Sequence, residues 1–584
     1  MSIICHNILY KRMHAKNQIA NIIQKITGQN EIHLEVPERQ EFGDYSTNVA
    51  MRLFVKGKDF PSPRDLAEDL LKKIQEDGEL LKITDKIAVA GSGFINFWLK
   101  KEILYENLTE IIQKNRSFGE SDLLTGKKIM IEFAHPNTHK LFHIGHLRNI
   151  TTGESLARIL ENAGAKVIRV NYQGDVGLHI AKAMWVINKY GYSDSGDVQK
   201  RAEFLGKAYM EGNRLYEESE EAKEEVHKIN EALYKGEDKK LMDLYKETRS
   251  WSLDYFDFIY KRVDTKFERF YFESEVAGDG YKLSKEALEK GILKESEGAV
   301  IFPGNEYGLH DRVFITQRDV LTYEGKDMGL AKLQFKEFDP DLLIHLVGPE
   351  QTDYFKVVFK ALELILPETK EREKHLSYGW VRLKEGKMSS RTGNVVSGNW
   401  LLDEAKLKLT EKYKSDSETA EKVAVAAVKY SFLKNSLNQE IAFDINESIS
   451  LEGNSGPYIQ YTYARTQSVI EKSEVKKEEL KKLVIRDSLD INPEERSLLR
   501  TLLYYPEITE SAAAGFSPNL LCNYLYELAQ KFNVFYNKHR ILDADSSGKT
   551  NKDITDFRLS LTDATGSVIK SGLYLLGIQS PDKM

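Results

Sequence analysis

Residues 127–172 have the sequence KKIMIEFAHPNTHKLFHIGHLRNITTGESLARILENAGAKVIRVNY. The apolar runs at the two ends predict strands, and the residues between them predict a loop and then a helix from about Ile144 to Ala163. That helix has one apolar face at helical spacing, and Gly164 is a typical helix stop. A strand, helix and strand of this size imply a parallel sheet with a right-handed crossover, in which ligands bind at the carboxyl ends of the strands.

The sheet pattern resumes further along the chain. The runs DLLIHLVG (341–348) and LSYGWVRL (376–383) predict more strands, with a helix between them. Residues from about 184 to 300, by contrast, form charged helical patterns that also contain aromatic residues. Charged pairs four residues apart are typical of solvated helix faces, and we favour that interpretation over a binding role. We therefore predict a helical insertion in a discontinuous sheet domain.

Two further regions flank this domain. Residues 1–110 mix helical periodicity with the strand-like runs KIAVAG and GFINFWL, which predicts a compact α/β module. After about residue 450 almost every pattern is helical, and the recurring Tyr, Phe and Leu are typical of a helix-bundle core. The predicted domains are an α/β module at 1–110, a Rossmann-like parallel-sheet domain at 122–405, a helical connecting segment at 406–449 and an all-α domain at 450–584.

Composition excludes several classes of protein. A length of 584 residues suggests roughly four domains. The formal net charge of −7 excludes a basic nucleic-acid coat, although it is compatible with a local basic groove. Two cysteines cannot form a Cys₄ zinc site or a framework of several disulfides, and they indicate an intracellular, cytoplasmic protein. We find no apolar run of about 18 residues that would span a membrane, and no export signal.

His143, Gly145 and His146 form an HxGH motif at the start of the predicted crossover helix. Residues i and i+3 share a helix face, so both imidazoles point the same way from a helix N-terminus whose free N–H groups and dipole favour a bound phosphate. Gly145 leaves room for a nucleotide base to approach the backbone. Chance alone predicts about 0.02 such strings in this composition, which makes the match informative. The alternative is a pair of histidines satisfied within a structural loop.

A second motif, Lys387-Met388-Ser389-Ser390-Arg391, follows a strand-like run and is flanked by glycines. Two cations, two hydroxyls and glycine hinges suit a mobile loop that closes on a polyphosphate and neutralises charge developing in the transition state. Alone, the motif is a basic surface turn about as often as a site. Its combination with HxGH on one predicted sheet favours a nucleotide site.

These two motifs, in this order, resemble class I aminoacyl-tRNA synthetases. Further stretches resemble the arginyl-tRNA synthetase family, and the resemblance covers nearly the whole chain. They are FGDYSTNVAM (42–51), AGSGFINFWL (90–99), EFAHPN (132–137), LTYEGKDMGLAK (321–332), GPEQTDYF (348–355) and EGNSGPYIQYTYAR (452–465). The resemblance implies ligation of L-arginine to tRNA(Arg) through an arginyl-adenylate. It also implies an N-terminal tRNA-binding domain, a catalytic sheet domain and a C-terminal anticodon-binding domain.

The resemblance implies roles for five residues around the amino acid. Asn137 and Gln351 would hold the α-amino and carboxylate end of arginine, and Glu132, Tyr323 and Asp327 would surround its guanidinium. A planar cation with five donors needs carboxylates as acceptors. Such a site rejects ligands that leave its buried groups unpaired, so no editing domain is required.

The resemblance also implies how ATP is bound and activated. The implied ATP-binding residues are His143, Gly145, His146, Lys387, Met388, Ser389 and Ser390. The implied catalytic residues are His143, His146, Lys387 and Arg391. The carboxylate of arginine is already nucleophilic, so catalysis consists mostly of positioning and charge stabilisation. Mg²⁺ is expected with the nucleotide, but the sequence contains no evident carboxylate cage for a metal.

For tRNA, the resemblance matches Tyr458, Tyr461 and Arg465 to side chains that stack on or pair with splayed anticodon bases. The alternative is that this helix face packs inside the bundle. The segment GDVGLH departs from the family pattern, which leaves the roles of its Asp175 and His179 open. We expect a monomer without a membrane partner.

Two other functions compete with this interpretation. A nucleotidylyltransferase with HxGH would share the sheet, but it would not need the flanking domains at 1–110 and 450–584. A non-catalytic tRNA-binding paralogue would keep the architecture and lose the site. The intact motif residues argue against that second alternative.

Overall fold

The computed structural model describes residues 15–192, 196–384, 396–481, 489–542 and 552–584. Within these ranges no helix is both long enough and apolar enough to cross a membrane. The described residues divide into two compact units, each assembled from three segments of the chain. The first unit lies within Met1–Phe118, Thr466–Tyr505 and Gln530–Val568, and the second within Gly119–Arg465, Pro506–Ala529 and Ile569–Met584.

The N-terminal region is a small antiparallel sheet with helices packed against it. Its elements are α1 (Ala15–Thr27), β1 (Tyr45–Thr47), α2 (Val49–Leu53), α3 (Pro63–Gln75), α4 (Leu80–Ile83), β2 (Thr84–Ala90), β3 (Phe94–Leu99) and α5 (Lys101–Lys114). The strands pair in the order β1-β3-β2. Helix α3 begins where it does because Ser62 Oγ accepts the Asp65 N–H at 3.3 Å and Pro63 needs no N–H partner. Strands β2 and β3 confirm the two predicted strands.

The second unit is built on the strand, helix and strand of residues 127–172. These elements are β4 (Lys128–Glu132), α6 (Ile144–Asn162) and β5 (Lys166–Gln173), as predicted. Gly164 follows α6 with φ of +93°, and a Cβ there would lie 2.7 Å from Thr125 Oγ1 and 3.1 Å from the Ser121 carbonyl oxygen. Only glycine fits both this backbone conformation and this space.

A group of helices and one strand follow β5. They are α7 (Leu178–Tyr190), α8 (Val198–Glu218), α9 (Glu220–Lys235), α10 (Lys239–Arg262) and β6 (Arg269–Phe272). Strand β6 pairs in parallel with β5, so it belongs to the main sheet. The predicted insertion included these four residues, and that part of the prediction is wrong. A four-residue aromatic strand is too short for its periodicity to stand out among helices that also contain aromatic residues.

The remaining elements of the second unit complete the main sheet and add smaller sheets and helices. They are α11 (Glu273–Glu289), β7 (Lys294–Ser296), β8 (Ala299–Phe302), β9 (Arg312–Ile315), α12 (Tyr323–Phe338), β10 (Leu342–Val347), α13 (Thr352–Ile365), β11 (Glu373–Ser377), β12 (Val381–Leu383), α14 (Gly398–Tyr413), α15 (Ser417–Leu433), β13 (Ile441–Phe443) and α16 (Ile445–Ser448). The main sheet has the parallel order β11-β10-β4-β5-β6. The chain runs outward from β4 to one side and returns at β10 on the other. Ligands bind at such a switch point, beyond the carboxyl ends of β4 and β10.

The run LSYGWVRL contains two strands rather than one. Its first part lies in β11 of the main sheet, whereas β12 pairs with β13 in a separate two-stranded sheet. After β13 the chain is helical, as predicted. These last helices are α17 (Gly456–Ser473), α18 (Lys477–Leu480), α19 (Pro493–Leu503), α20 (Tyr505–Ala514), α21 (Pro518–Lys538) and α22 (Lys552–Leu575).

The residues at and after the end of α22 are held in the second unit largely through their backbone carbonyls. Ser155 Oγ of α6 donates to the Leu575 carbonyl oxygen at 3.0 Å, and Lys429 Nζ of α15 donates to that of Gly577 at 2.7 Å. Further donors to this segment are Arg158, Gln460 and Tyr463. We call residues 574–582 the terminal segment.

Candidate active site

The HxGH motif forms the first turn of α6. His143 Nδ1 accepts the His146 N–H at 3.3 Å, and His146 Nδ1 accepts the His143 N–H at 3.1 Å. The two rings stack with their centroids 3.6 Å apart, which confirms that they point the same way. Burial lowers the pKa of His143 to about 4 and that of His146 well below its ordinary value. Both rings are therefore neutral, with Nδ1 as acceptor and Nε2–H as donor.

The sequence predicted free backbone N–H groups in this turn, but the structure shows several of them already in hydrogen bonds. The two imidazoles form a capping box that uses the N–H groups of His143 and His146, and the Ile144 N–H donates to the Val396 carbonyl oxygen at 2.9 Å. The expectation of free N–H groups is therefore wrong for these three residues. A Cβ on Gly145 would lie 2.9 Å from two atoms of the His143 ring, so the glycine allows that ring to fold over the turn.

The chain downstream of the second motif is fastened to the HxGH turn. The Gly398 N–H donates to the Phe142 carbonyl oxygen at 2.8 Å, and Ser397 forms a β-bridge with His143. The segment that leaves the second motif is thereby held beside α6. Residues 385–395 lie outside the described residues, and they include the predicted loop residues Lys387, Met388, Ser389, Ser390 and Arg391.

The loop between β4 and α6 contains three non-glycine residues with positive φ. These angles are 79° at Ala134, 47° at His135 and 60° at His139. Each costs about 1–3 kcal/mol and persists only where the surroundings enforce it. Asn149 of α6 is one restraint, because its Oδ1 accepts the Ala134 N–H at 2.5 Å and its Nδ2 donates to the Leu346 carbonyl oxygen at 2.6 Å. The loop is thus held at the switch point.

Asn137 lies in the same loop, against the end of β5. It forms a β-bridge with Gly174, and a Cβ on Gly174 would lie 2.0 Å from Asn137 Oδ1 and 3.2 Å from Glu273 Oε1. Residue 174 must therefore lack a side chain for Asn137 to occupy this place. Gln351 is half-buried at the end of the single turn Pro349–Gln351, which follows β10. Both predicted residues lie at the carboxyl edge of the sheet.

Glu132 is the last residue of β4, and its side chain is buried. Its Oε1 accepts a hydrogen bond from His345 Nδ1 at 3.1 Å, and its Oε2 accepts one from Gln334 Nε2 at 2.5 Å. Burial opposes ionisation, but the charge and hydrogen bond of His345 lower the pKa of Glu132 below its ordinary value. The carboxylate is ionised, and each oxygen keeps a second lone pair for another donor.

Asp327, on the first turns of α12, has a different protonation state. Its Oδ2 accepts the Tyr354 hydroxyl at 2.6 Å. Burial raises the pKa of Asp327 to about 7, and the negative charge of Glu132 adds to this effect. The structure therefore brings the two predicted carboxylates close enough to interact. Tyr323, at the start of the same helix, is 57% exposed and lies on the rim.

Two polar residues at this end of the sheet, Tyr172 and His135, were missed in the sequence, and the role of a third, His179, was left open. The Tyr172 hydroxyl and the Nε2 atoms of His135 and His179 are buried and have no hydrogen-bond partner among the residues that the structure describes. Buried polar atoms are normally paired, so three unpaired ones at one sheet edge suit a polar ligand. The available signal was the position of each residue at or just after the end of a strand.

Asp175 serves as a structural anchor. Its carboxylate is fully buried and accepts the Ser274 N–H at 2.9 Å, the Ser274 hydroxyl at 2.7 Å and Arg249 Nε at 2.9 Å. These contacts fasten the end of β5 to α10 and to the start of α11. Its role, which the sequence left open, is therefore to hold these elements together.

The predicted tRNA-binding residues lie on the outer face of α17. Tyr461 is 37% exposed, and the Arg465 guanidinium lies 4.9 Å from the centroid of its ring. Tyr458, one turn earlier, is half-buried, whereas Ile459 and Tyr463 form the buried side of the helix. The alternative that this face packs inside the bundle is therefore wrong for Tyr461.

Three family models match the chain and together cover almost all of it. The model described as "tRNA synthetases class I (R), catalytic domain" matches residues 107–445. The "Arginyl tRNA synthetase N terminal domain" matches 13–99, and the "DALR anticodon binding domain" matches 459–584.

Curated relatives agree along nearly their full length. The arginine–tRNA ligase of Treponema denticola is 35% identical over 563 residues, covering 94% of this chain and 94% of that protein. The arginine–tRNA ligase of Borreliella afzelii is 32% identical over 575 residues, covering 95% of this chain and 94% of that protein.

Solved structures share the fold at lower identity. The arginyl-tRNA synthetase of Thermus thermophilus has a TM-score of 0.79 and 24% identity, covering 97% of this chain and 100% of that one. The arginyl-tRNA synthetase of Plasmodium falciparum has a TM-score of 0.76 and 20% identity, covering 97% and 99%.

A parallel sheet whose first crossover helix begins with HxGH, together with these matches, defines a class I aminoacyl-tRNA synthetase fold. The chain belongs to the arginyl-tRNA synthetase family. It is therefore an enzyme of the ligase class, and the predictions of family and fold class are confirmed.

Proposed function

We propose that the chain ligates L-arginine to tRNA(Arg) at the expense of ATP. The arginine carboxylate attacks the α-phosphorus of ATP, which forms arginyl-adenylate and releases pyrophosphate. The arginyl group then passes to the 2′-hydroxyl of the terminal adenosine, and AMP leaves. The observation that carries this proposal is a stacked pair of neutral imidazole donors at the switch point of a sheet whose edge also holds Glu132 and Asp327.

We assign the nucleotide to the HxGH turn. The Nε2–H groups of His143 and His146 would donate to phosphate oxygens, and Gly145 would lie beneath adenine. Because burial lowers the pKa of both histidines, their donor capacity stays constant around pH 7. Their contribution is then positioning and electrostatic stabilisation rather than proton transfer.

We assign the departing pyrophosphate to Lys387 and Arg391, with Met388, Ser389 and Ser390 in the same ATP-binding loop. The contacts of Val396–Gly398 with the HxGH turn support this assignment, because these first described residues after the motif lie beside α6. We propose that Mg²⁺ arrives with the nucleotide. Among the described ranges no cluster of three His, Cys, Asp or Glu residues would hold a metal ion, and we assign no step to it.

We assign the amino acid to the carboxyl edge of the sheet. Glu132 and Asp327 would accept the guanidinium hydrogens, with Tyr323 over the exposed side. Asn137 and Gln351 would hold the α-amino and carboxylate end. The unpaired buried polar atoms of this edge support a polar ligand here.

We assign anticodon contacts to Tyr458, Tyr461 and Arg465. The exposure of the Tyr461 ring, with the Arg465 guanidinium 4.9 Å from its centroid, supports this assignment. The predicted domain boundaries, a monomeric state and a cytoplasmic location are part of the same proposal. Gel filtration and light scattering test the monomer.

Pyrophosphate exchange tests the proposal directly. We expect exchange that depends on both arginine and tRNA, and charging of total tRNA with arginine but not with lysine. Exchange without arginine would favour the nucleotidylyltransferase, and tRNA binding without exchange would favour the non-catalytic paralogue. Either result overturns the proposed function.

A further inference from the structure

Strand β10 carries a single ionisable side chain, His345, among apolar residues. In the parallel register His345 lies directly opposite Glu132 of β4 and opposite His375 of β11. Glu373, two residues before His375, is paired with Leu343, two residues before His345. Because side chains alternate along a strand, these four ionisable residues point to the same face of the sheet.

His345 connects the carboxylates on its two sides. Its Nδ1 lies 3.1 Å from Glu132 Oε1, and its Nε2 lies 3.5 Å from Glu373 Oε1. All three side chains are less than a tenth exposed. The rings of Phe355 and Phe359 from α13 lie 5.1 and 5.5 Å from the imidazole centroid. We call Glu132, His345 and Glu373 the buried triad, and water does not screen it.

The groups around the imidazole favour its charged form. Burial opposes protonation, but Glu132 first, and Glu373 after it, raise the pKa of His345 to about 10. The pKa values of His135 and His375 are lowered, so these neighbours are neutral. The titratable side chains that interact with the triad are His135, Tyr172, Tyr271, Asp327, Glu363 and His375. Among these, His345 supplies the positive charge.

We propose that His345 is a positioning residue for arginine recognition. By holding one oxygen of Glu132, the imidazolium fixes the orientation of the carboxylate and keeps it ionised. Gln334 holds the other oxygen at 2.5 Å, so the remaining lone pairs of Glu132 have a defined direction. This inference rests on the proposed function, because it requires arginine to bind beside Glu132. It extends that function to a residue of β10 that lies outside both sequence motifs.

His345→Gln tests the charge, because glutamine retains a hydrogen-bond donor but no positive charge. We expect the KM for arginine in aminoacylation to rise at least about tenfold, since hydrogen bonds to charged groups are worth that much. The KM for ATP is expected to stay within about twofold. His375→Gln is the matched control, because it alters an imidazole on the same sheet face that does not contact Glu132. An unchanged arginine KM in His345→Gln, or an equal rise in both variants, overturns the proposal.

Glu373→Gln provides a second test that does not require removal of the imidazole. This variant keeps the contact with Glu132 but removes one of the two carboxylates that stabilise the imidazolium. Deprotonation of His345 in alkali is expected to raise the arginine KM, because the imidazolium is lost. In Glu373→Gln this rise is expected to begin about one pH unit lower than in the unmodified enzyme. The α-amino group of arginine titrates identically in both measurements, so the difference belongs to the protein. Superimposable pH profiles overturn the proposal even if His345→Gln fails to fold.

The unmodified enzyme separates this inference from the proposed function. If it shows no arginine-dependent exchange, the proposed function fails. If it is active and either His345→Gln or Glu373→Gln keeps its arginine KM at every pH, only the role of His345 fails.

Discussion

Single ionisable side chains give the proposed arginine site its chemical character. Glu132 and Asp327 are both carboxylates, yet their surroundings move their pKa values in opposite directions. Glu132 has an imidazolium beside it, whereas Asp327 is buried beside a tyrosine hydroxyl and a negative charge. Glu132 is therefore ionised at pH 7, whereas the carboxyl group of Asp327 changes its protonation state near neutral pH.

We expect arginine binding to weaken in mild acid because of Asp327. The guanidinium requires an ionised acceptor, and protonation of Asp327 competes with it below a pKa of about 7. The KM for arginine is expected to rise as the pH falls from 8 to 6, approaching about tenfold per unit at the acid end. Asp327→Asn is expected to raise the KM at pH 8 at least about tenfold and to abolish this dependence. Steady-state aminoacylation across this range measures both, and an arginine KM in the parent that is flat with pH would contradict the assignment.

Gly145→Ala is expected to disturb the phosphate donors. The added methyl group would lie 2.9 Å from the His143 ring, which must move from its stacked position. Loss of one preorganised donor lowers kcat by about a hundredfold in comparable sites. Gly278→Ala in α11 is the control, since nothing lies within 4 Å of a Cβ there and its activity is expected to be normal. Equal rates of pyrophosphate exchange in the two variants would contradict a role of the His143 ring position in catalysis.

At the scale of elements, one buried arginine fastens α6 to the segments around β12 and β13. The guanidinium of Arg148 donates to the carbonyl oxygens of Gly379, Trp380, Leu437 and Gln439 at 2.5–3.0 Å. Burial lowers the pKa of Arg148 to about 10. The helix that presents HxGH and the strand that leads into the second motif are therefore held together by side-chain-to-backbone hydrogen bonds.

Arg148→Met is expected to destabilise the second unit. The change leaves four carbonyl oxygens without their donor, at a cost of about 3 kcal/mol or more in the free energy of unfolding. Arg148→Lys keeps a charge but has only three donors and no planar fork, so an intermediate loss is expected. Urea unfolding followed by circular dichroism gives both values. A Met variant as stable as the parent would mean that these carbonyls find other partners.

The sequence predicts an element well when its pattern is local and long enough to recognise, and poorly when the element is short or depends on contacts between distant residues. Helix α6 and strands β4 and β5 follow from periodicity and a glycine stop within 46 residues of continuous chain, 127–172. Strand β6 is four residues long and has no such pattern. The contact of His345 with Glu132 joins residues 213 positions apart, so no local pattern encodes it. The only signal was one histidine within an otherwise apolar strand. Glu132 and Asp327 could be selected as site residues only through the family resemblance.

At the scale of the whole molecule, Lys429 links two segments of the second unit, because it joins α15 to the terminal segment. Its side chain is 1% exposed, and its Nζ donates to the carbonyl oxygens of Val263 and Gly577. Burial lowers the pKa of Lys429 to about 7. Among the described residues, no carboxylate forms an ion pair with this buried amine. Because its pKa differs between the folded and the unfolded protein, the free energy of unfolding depends on pH.

We expect Lys429→Met to change the pH dependence of stability in a defined direction. The pKa of Lys429 is lower in the folded protein than the ordinary value of 10.5, so between about 7 and 10.5 the unfolded chain binds more protons. The contribution of Lys429 to the free energy of unfolding therefore increases with pH across this window. Relative to Lys429→Met, the parent is expected to gain stability from pH 7 to pH 10. Urea unfolding at several pH values measures the difference, and a constant difference would contradict the assigned environment.

Because the second unit is assembled from three segments of the chain, it cannot be completed until the last of them has been synthesised. Its sheet is encoded early, yet the carbonyl acceptors for Ser155 and Lys429 belong to Ile569–Met584. A nascent chain stalled before Ile569 has the HxGH helix but lacks the acceptor of Ser155 and one of the two acceptors of Lys429. Closure around that helix therefore requires Ile569–Met584, and ribosome-bound chains stalled before Ile569 are expected to be digested by proteases at α6 and α15 under conditions in which the full chain resists them.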